Sequence, residues 1–144
     1  MKQIPSIKSV MTPFPYSVDV GAPIREAQEF MRVHKIRHLP VTDDQKLLGV
    51  LSDRDIKLFL GMDFDYPEKN DVTVRDVYMD HPYIVDLNER LDKVLQNMAE
   101  KHIGSVLVTR NGKLAGVFTS TDACKSFAEY LRDQFKPPGG NEAA

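Results

Sequence analysis

The chain has 144 residues, 42% hydrophobic and 28% charged, with a net charge of −2. That balance suits a globular fold and gives no general attraction to nucleic acid or to an anionic membrane. Cys124 is the only cysteine, so no intrachain disulfide can form and a reducing, cytoplasmic compartment is expected. The opening MKQIPSIKSV lacks the apolar core of a secretory signal, and no stretch approaches the roughly 18 apolar residues of a membrane span.

In chain order, PYSVDV from Pro15 is short and rich in β-branched residues, which predicts a strand. IREAQEFMRVH then places Ile24, Ala27, Phe30, Met31 and His34 at helical spacing, with Gly21 and Pro23 at its start. HLPVT and KLLGVL flank the turn DDQK as a strand pair, and DIKLFLGM supplies a closing helix. The acidic stretch GMDFDYPEKND, from Gly61 to Asp71, reads as a linker. Its carboxylates Asp63, Asp65, Glu68 and Asp71 lack calcium-loop spacing, and Pro67 interrupts them, so a solvated loop is expected rather than a metal site.

The order of elements then repeats. PYSVDV at Pro15 returns as PYIVDL at Pro82, and KLLGVLSDRD at Lys46 returns as KLAGVFTSTD at Lys113, both 67 residues on. Met31 falls on Met98, and LPVT ending at Thr42 falls on VLVT ending at Thr109. Asn88 reads as the N-cap of the second copy's first helix, and Asn111-Gly112 as a type I′ hairpin turn. Upstream, SVMT matches DVYMD with a one-residue slip that sets Met79 against Met11 and Asp80 against Thr12. One such unit has a small sheet and two helices and cannot bury both faces alone, so the copies should pack together. The units are placed at residues 4–62 and 73–131, with a linker at 63–72 and a flexible tail at 132–144, where KPPGGNEAA begins at Lys136.

Catalytic machinery is hard to find. His34 and His38 have i,i+4 spacing, but Arg37 to Thr42 reads as the way into a strand, which removes the pair from one helix face. Cys124 reads as a small buried side chain with no neighbouring His. Scattered aromatics without Trp offer no stacking platform for single strands. No metal, catalytic residue or obligatory cofactor is assigned.

What is duplicated is G-h-h-[ST]-x-x-D (h, apolar): GVLSDRD from Gly49 and GVFTSTD from Gly116. Ser52 and Thr119 can cap helices with Asp55 and Asp122 closing capping boxes, although Glu or Gln is the usual box residue. The same loop can clamp a nucleotide, a carboxylate taking the ribose hydroxyls while the hydroxyl, free N–H groups and Arg54 meet phosphate. Both readings stand on the motif alone.

The pattern as a whole resembles a tandem pair of CBS domains (a Bateman module). The resemblance rests on VMTPFPYSVDV, IREAQEFM, IRHLPVTD and GVLSDRDI in the first copy. In the second it rests on VYMDHPYIVDL, LDKVLQNM, HIGSVLVTRNGKLAGV and FTSTDA. It implies an α/β (α+β) fold of two β-α-β-β-α units, packed sheet to sheet with pseudo-twofold symmetry and pairing again into a homodimer. It further implies non-catalytic, regulatory binding of AMP, ADP, ATP or S-adenosylmethionine in clefts between the units. With no effector domain in the sequence, output passes to an effector protein in trans.

Carried over residue by residue, one cleft combines Thr12, Tyr16, Val18, Arg37, His38 and Pro40 with Thr119, Thr121 and Asp122. The other combines Tyr83, Val85, Gly104, Ser105 and Val106 with Ser52, Arg54 and Asp55. The first keeps MTP and HLPV, and its His38 adds pH sensitivity. The second has Leu107 for Pro40 and an acid, Asp80, against the phosphate. One good site on Asp122 and Thr119 is expected, beside a weaker or empty one. The competing expectations are an interaction module with decayed nucleotide sites, and an enzyme built on His38 and nearby acids.

Overall fold

A computed structural model describes residues 3–61 and 72–136. The acidic linker carboxylates and the end of the chain lie outside the described residues.

Strands β1 (Thr12–Pro13), β2 (Val18–Asp19), β3 (His38–Asp43) and β4 (Lys46–Ser52) share the first half with helices α1 (Ile24–His34) and α2 (Asp53–Leu60). The second half holds β5 (Ile84–Asp86), α3 (Leu91–Lys101), β6 (Ser105–Arg110), β7 (Lys113–Thr119) and α4 (Ser120–Gln134). Strand β3 runs parallel to β2 and antiparallel to β4, giving a three-stranded sheet, and β6 relates in the same way to β5 and β7. The fold is α+β, two β-α-β-β-α units, as the repeat implied. The bounds of α1, β3 and β4 recur 67 residues on as those of α3, β6 and β7.

Hydrophobic periodicity accounts for the packing. Ile24, Ala27 and Met31 of α1 are buried, as their spacing predicts, against Leu39, Val41, Leu51 and Ile56. In the second unit Val94 and Met98 of α3 pack with Val106, Val108 and Phe118. A third cluster, Val50, Leu107 and Val117, joins β4 to the β6–β7 pair and so seals one sheet against the other. The turn at Asn111-Gly112 has φ of 52° and 79°, the two positive values a type I′ hairpin requires.

The leading segments are exchanged between units. Ile7 is fully buried in the second unit's core, and β1 pairs with β7. Reciprocally, Val72 and Val74 complete the first unit's core, and Met79 exchanges backbone hydrogen bonds with Val50 at 2.9 and 3.0 Å. Each sequence repeat is contiguous, but each packed unit borrows its first segment from the other repeat.

This pairing corrects the slipped alignment. Thr12 lies opposite Val117 and Met79 opposite Val50, so Met79 occupies the place of Thr12, and Asp80 that of Pro13. Gly116 and Gly49 agree, because an added Cβ would meet Met11 and Thr12 at one and Tyr78 and Met79 at the other. Backbone register outweighs the attractive Met-to-Met match, and the 67-residue offset holds without a slip.

Three further expectations change. The N-cap of α3 is Arg90, not Asn88, whose N–H instead bonds the Asp86 carboxylate in a local turn. Helix α4 continues through Arg132, Asp133 and Gln134, into the stretch expected to be tail. Cys124 is exposed rather than buried, because α4 buries none of its residues.

Candidate nucleotide cleft

The cleft forms where β1 and the segment after it, the entry to β3 and the start of α4 converge. Its volume is about 640 Å³, within the range of small-molecule sites. Of the residues expected there, Thr12, Tyr16, Arg37, His38, Pro40, Thr119, Thr121 and Asp122 all line it. Val18 does not belong with them, packing instead on the core of its own unit.

Local chemistry places each group. Thr119 precedes α4 in extended conformation and caps it: its hydroxyl accepts from the Asp122 N–H at 3.2 Å. Asp122 Oδ2 accepts the Thr119 N–H at 2.9 Å and its hydroxyl at 3.0 Å, closing a capping box. The short Asp arm therefore reaches, and the box uses one carboxylate oxygen. Ser52 makes only half of this arrangement, accepting from the Asp55 N–H at 3.0 Å.

His34 ends α1 and His38 opens β3, with Lys35 between them in left-handed conformation (φ 55°), so the two histidines share no helix face. His34 packs instead with Tyr16 and Phe30, at ring centroid distances of 4.5 and 4.2 Å. That cluster holds Tyr16 at the cleft wall.

His38 is half-buried and central to both halves. It pairs with Ser52 across the strand ladder, lines the cleft with Asp122, and would lie 3.8 Å from a Cβ placed on Gly104. Burial pushes its imidazole below the ordinary value; the charge of Asp55 opposes this, Arg37 adds to it, and Asp122 opposes it.

Sequence reasoning passed over Phe14, Lys35 and Lys125, which also line the cleft. Lys125 could have been found, since it stands one helical turn beyond Asp122 on the same face. Phe14 has φ of 49° and is 95% exposed, features no sequence pattern announces.

The residues of the second expected cleft line two different depressions or belong to the core and its edges. Ser52 and Arg54 line a depression of about 560 Å³ with Arg37 and His38 of their own repeat. Tyr83 lines another with Glu89, Lys93 and Glu100. Val85 and Val106 are core residues, Gly104 is exposed and Ser105 is half-buried opposite Thr119. By the 67-residue offset, Lys35, Arg37, His38 and Lys125 correspond to His102, Gly104, Ser105 and Leu58. The second side thus lacks the Lys and Arg groups of the first, with His102 in the place of Lys35 and Arg54 of its own.

Two mixed sheets, each flanked by two helices and joined about a cleft with a helix N-terminus at its edge, define a module of two tandem units. The sequence profile of the CBS domain matches residues 7–61 and 74–129, and the chain belongs to that family as a tandem pair. Hypoxic response protein 1 of Mycobacterium tuberculosis is 34% identical over 113 residues, 76% of either chain. The CBS domain pair of protein MJ0100, solved with 5′-methylthioadenosine and S-adenosyl-L-methionine, superposes with a TM-score of 0.78 at 25% identity, covering 89% of this chain and 99% of that one. CBSX2, solved in complex with AMP, shares the fold with a TM-score of 0.75 at 24% identity, over 89% of this chain and 99% of that one. Among the described residues no helix is long and apolar enough to cross a membrane, and no group of three or more metal-ligating side chains occurs.

Proposed function

We propose that this chain is a non-catalytic regulatory module that binds an adenine nucleotide in the cleft on Thr119 and Asp122, and signals to a cytoplasmic partner protein. The observation that carries the reading is the meeting in one cleft of a capped helix N-terminus, a carboxylate and three cations, Lys35, Arg37 and Lys125, beside the half-buried imidazole of His38. Asp122 keeps Oδ1 outside the capping box and can accept a ribose hydroxyl. The N-terminus of α4 and the basic groups favour phosphate. Aromatic Tyr16 and Phe14 with Pro40 offer an apolar wall to the base. Ligands in MJ0100 and CBSX2 support an adenosine compound as the class, with AMP, ADP, ATP and S-adenosylmethionine all to be tried.

Titration calorimetry with each compound tests the reading. AMP or ATP should release heat that Asp122→Ala abolishes; no heat from any compound, or an unaltered response in the variant, would overturn it.

One observation favours a dimer as the signalling form. Helix α4 presents Phe127, Tyr130 and Leu131, all exposed, Phe135 follows its end, and Leu58 of α2 is exposed as well. An amphipathic helix with no buried residue leaves an apolar face to cover. A homodimer through this face should appear in light scattering and be lost in Phe127→Glu/Tyr130→Glu. A dimer that persists while no nucleotide binds would favour the alternative, an interaction module with decayed sites.

A further inference from the structure

A second depression shares Lys35, Ile36 and Arg37 with the cleft. Between α1 and α2 lies a groove of about 650 Å³ whose wall carries Arg25, Arg32, Lys35, Arg37 and Lys57. Its two acids are engaged, Glu29 by Arg32 at 2.5 Å and Asp53 by Lys57 at 2.9 Å. Arg25, Lys35 and Arg37 have no ion pair among the described residues. Lys35 and Arg37 also line the nucleotide cleft, so groove and cleft adjoin through these two cations. Arg37 further borders the depression that holds Arg54, so this one residue is common to three hollows.

The second repeat serves as an internal control. At the positions of Arg25, Arg32, Lys35, Arg37 and Lys57 it has Asp92, Ala99, His102, Gly104 and Cys124. The scaffold is the same, yet none of these is a permanent cation, so the fold itself does not require the charges. Two of the first repeat's cations also break a local rule. Arg25 and Arg54 stand in the first turns of α1 and α2, at the positive ends of the helix dipoles, where cations are disfavoured. Asp92, the counterpart of Arg25, obeys the rule.

We infer that the groove receives the outer phosphates of a nucleoside polyphosphate whose nucleoside sits in the cleft. This rests on the reading of the cleft as a nucleotide site and narrows it. Arg37 marks the junction, with the first phosphate held at the start of α4 and the later ones turning past Arg37 between α1 and α2. A monophosphate leaves the groove to water. S-adenosylmethionine, carrying a sulfonium cation and no phosphate, gains nothing from it. Guanidinium forks on phosphate oxygens supply the preference for the longer chain.

Calorimetry without divalent cations, using ATP, AMP and inorganic tripolyphosphate, tests this on the wild type and on Arg25→Asp and Lys57→Ala. ATP should bind about tenfold tighter than AMP, a difference that shrinks as salt screens the groove. Each variant should weaken ATP severalfold and leave AMP unchanged. Arg25→Asp should not lower the thermal midpoint, because it removes a conflict with the dipole. AMP binding as tightly as ATP, or variants that leave ATP untouched, would overturn the inference while the nucleotide cleft stands. Tripolyphosphate binding as tightly as ATP would also overturn it, marking a free-standing anion site. If neither nucleotide binds, both this inference and the cleft reading fall.

Discussion

From α1 to the end of β4 the first repeat matches α3 to the end of β7 element for element, 67 residues apart, with identical burial patterns along β3 and β6 and along β4 and β7. Their surfaces diverge where an anion would bind. The first repeat brings Lys35, Arg37 and His38 to the capped start of α4, whereas the corresponding positions of the second are His102, Gly104 and Ser105. Duplicated backbone with unequal charge separates what folding needs from what binding needs. Ile24 with Leu91, Met31 with Met98 and Gly49 with Gly116, apolar or glycine in both copies, are packing positions.

The comparison breaks first at those glycines. A Cβ on Gly49 would sit 2.1 Å from the Met79 carbonyl oxygen, and one on Gly116 would meet the Met11 sulfur at 2.5 Å and the Thr12 carbonyl at 2.9 Å. Backbone cannot swing aside as a thioether can. Gly49→Ala should therefore cost about 3 kcal/mol and Gly116→Ala about 1–2 kcal/mol, read as shifts in the denaturant midpoint. Equal costs would deny the difference in the two crossing strands.

The hairpin turns come next. Gln45 holds φ of 69° where the second repeat has Gly112 at 79°. Left-handed backbone is strained for a side chain with a Cβ and free for glycine. Gln45→Gly should raise stability by up to about 1 kcal/mol, and Gly112→Gln should lower it by a similar amount in thermal melts.

The smallest expected effect is a pH slope. His38 is held below its ordinary value mainly by burial, so between that lowered value and about 6.5 the unfolded chain binds more protons than the folded one. Stability is full above pH 6.5 and falls as acid takes the solution through the folded-state value. His38→Ser, which installs the residue of the second repeat, should flatten that part of the stability profile; an unchanged slope would assign it elsewhere.

Much of this was legible in the sequence because helical and strand periods are local and the duplication confirmed each by its partner. Ile24, Ala27 and Met31 announced the buried face of α1, and Asn111-Gly112 announced its turn. Eight of the nine residues assigned to the first cleft meet there, since a repeated motif on a repeated scaffold fixes their positions. Val18 packs on the core of its own unit, and a two-residue strand offers too little alternation to show in sequence which side faces it. The exchange of leading segments left no trace in the pattern: nothing in Thr12–Pro13 says which sheet it joins, and the match of Met79 to Met11 pointed the wrong way. Cys124 was misjudged because composition favours burial, whereas α4 lies along the outside. The basic groove was invisible for another reason: Arg25, Arg32 and Lys57 are far apart in sequence and look like solvated helix faces until α1 and α2 are set side by side.

The unequal clefts are tested most directly by equilibrium dialysis with labelled ATP, counting molecules bound per chain in the wild type, Asp122→Ala and Asp55→Ala. One ATP per chain, lost in Asp122→Ala and retained in Asp55→Ala, is the expected result. Two equivalent sites, or loss of binding in Asp55→Ala with retention in Asp122→Ala, would contradict the account.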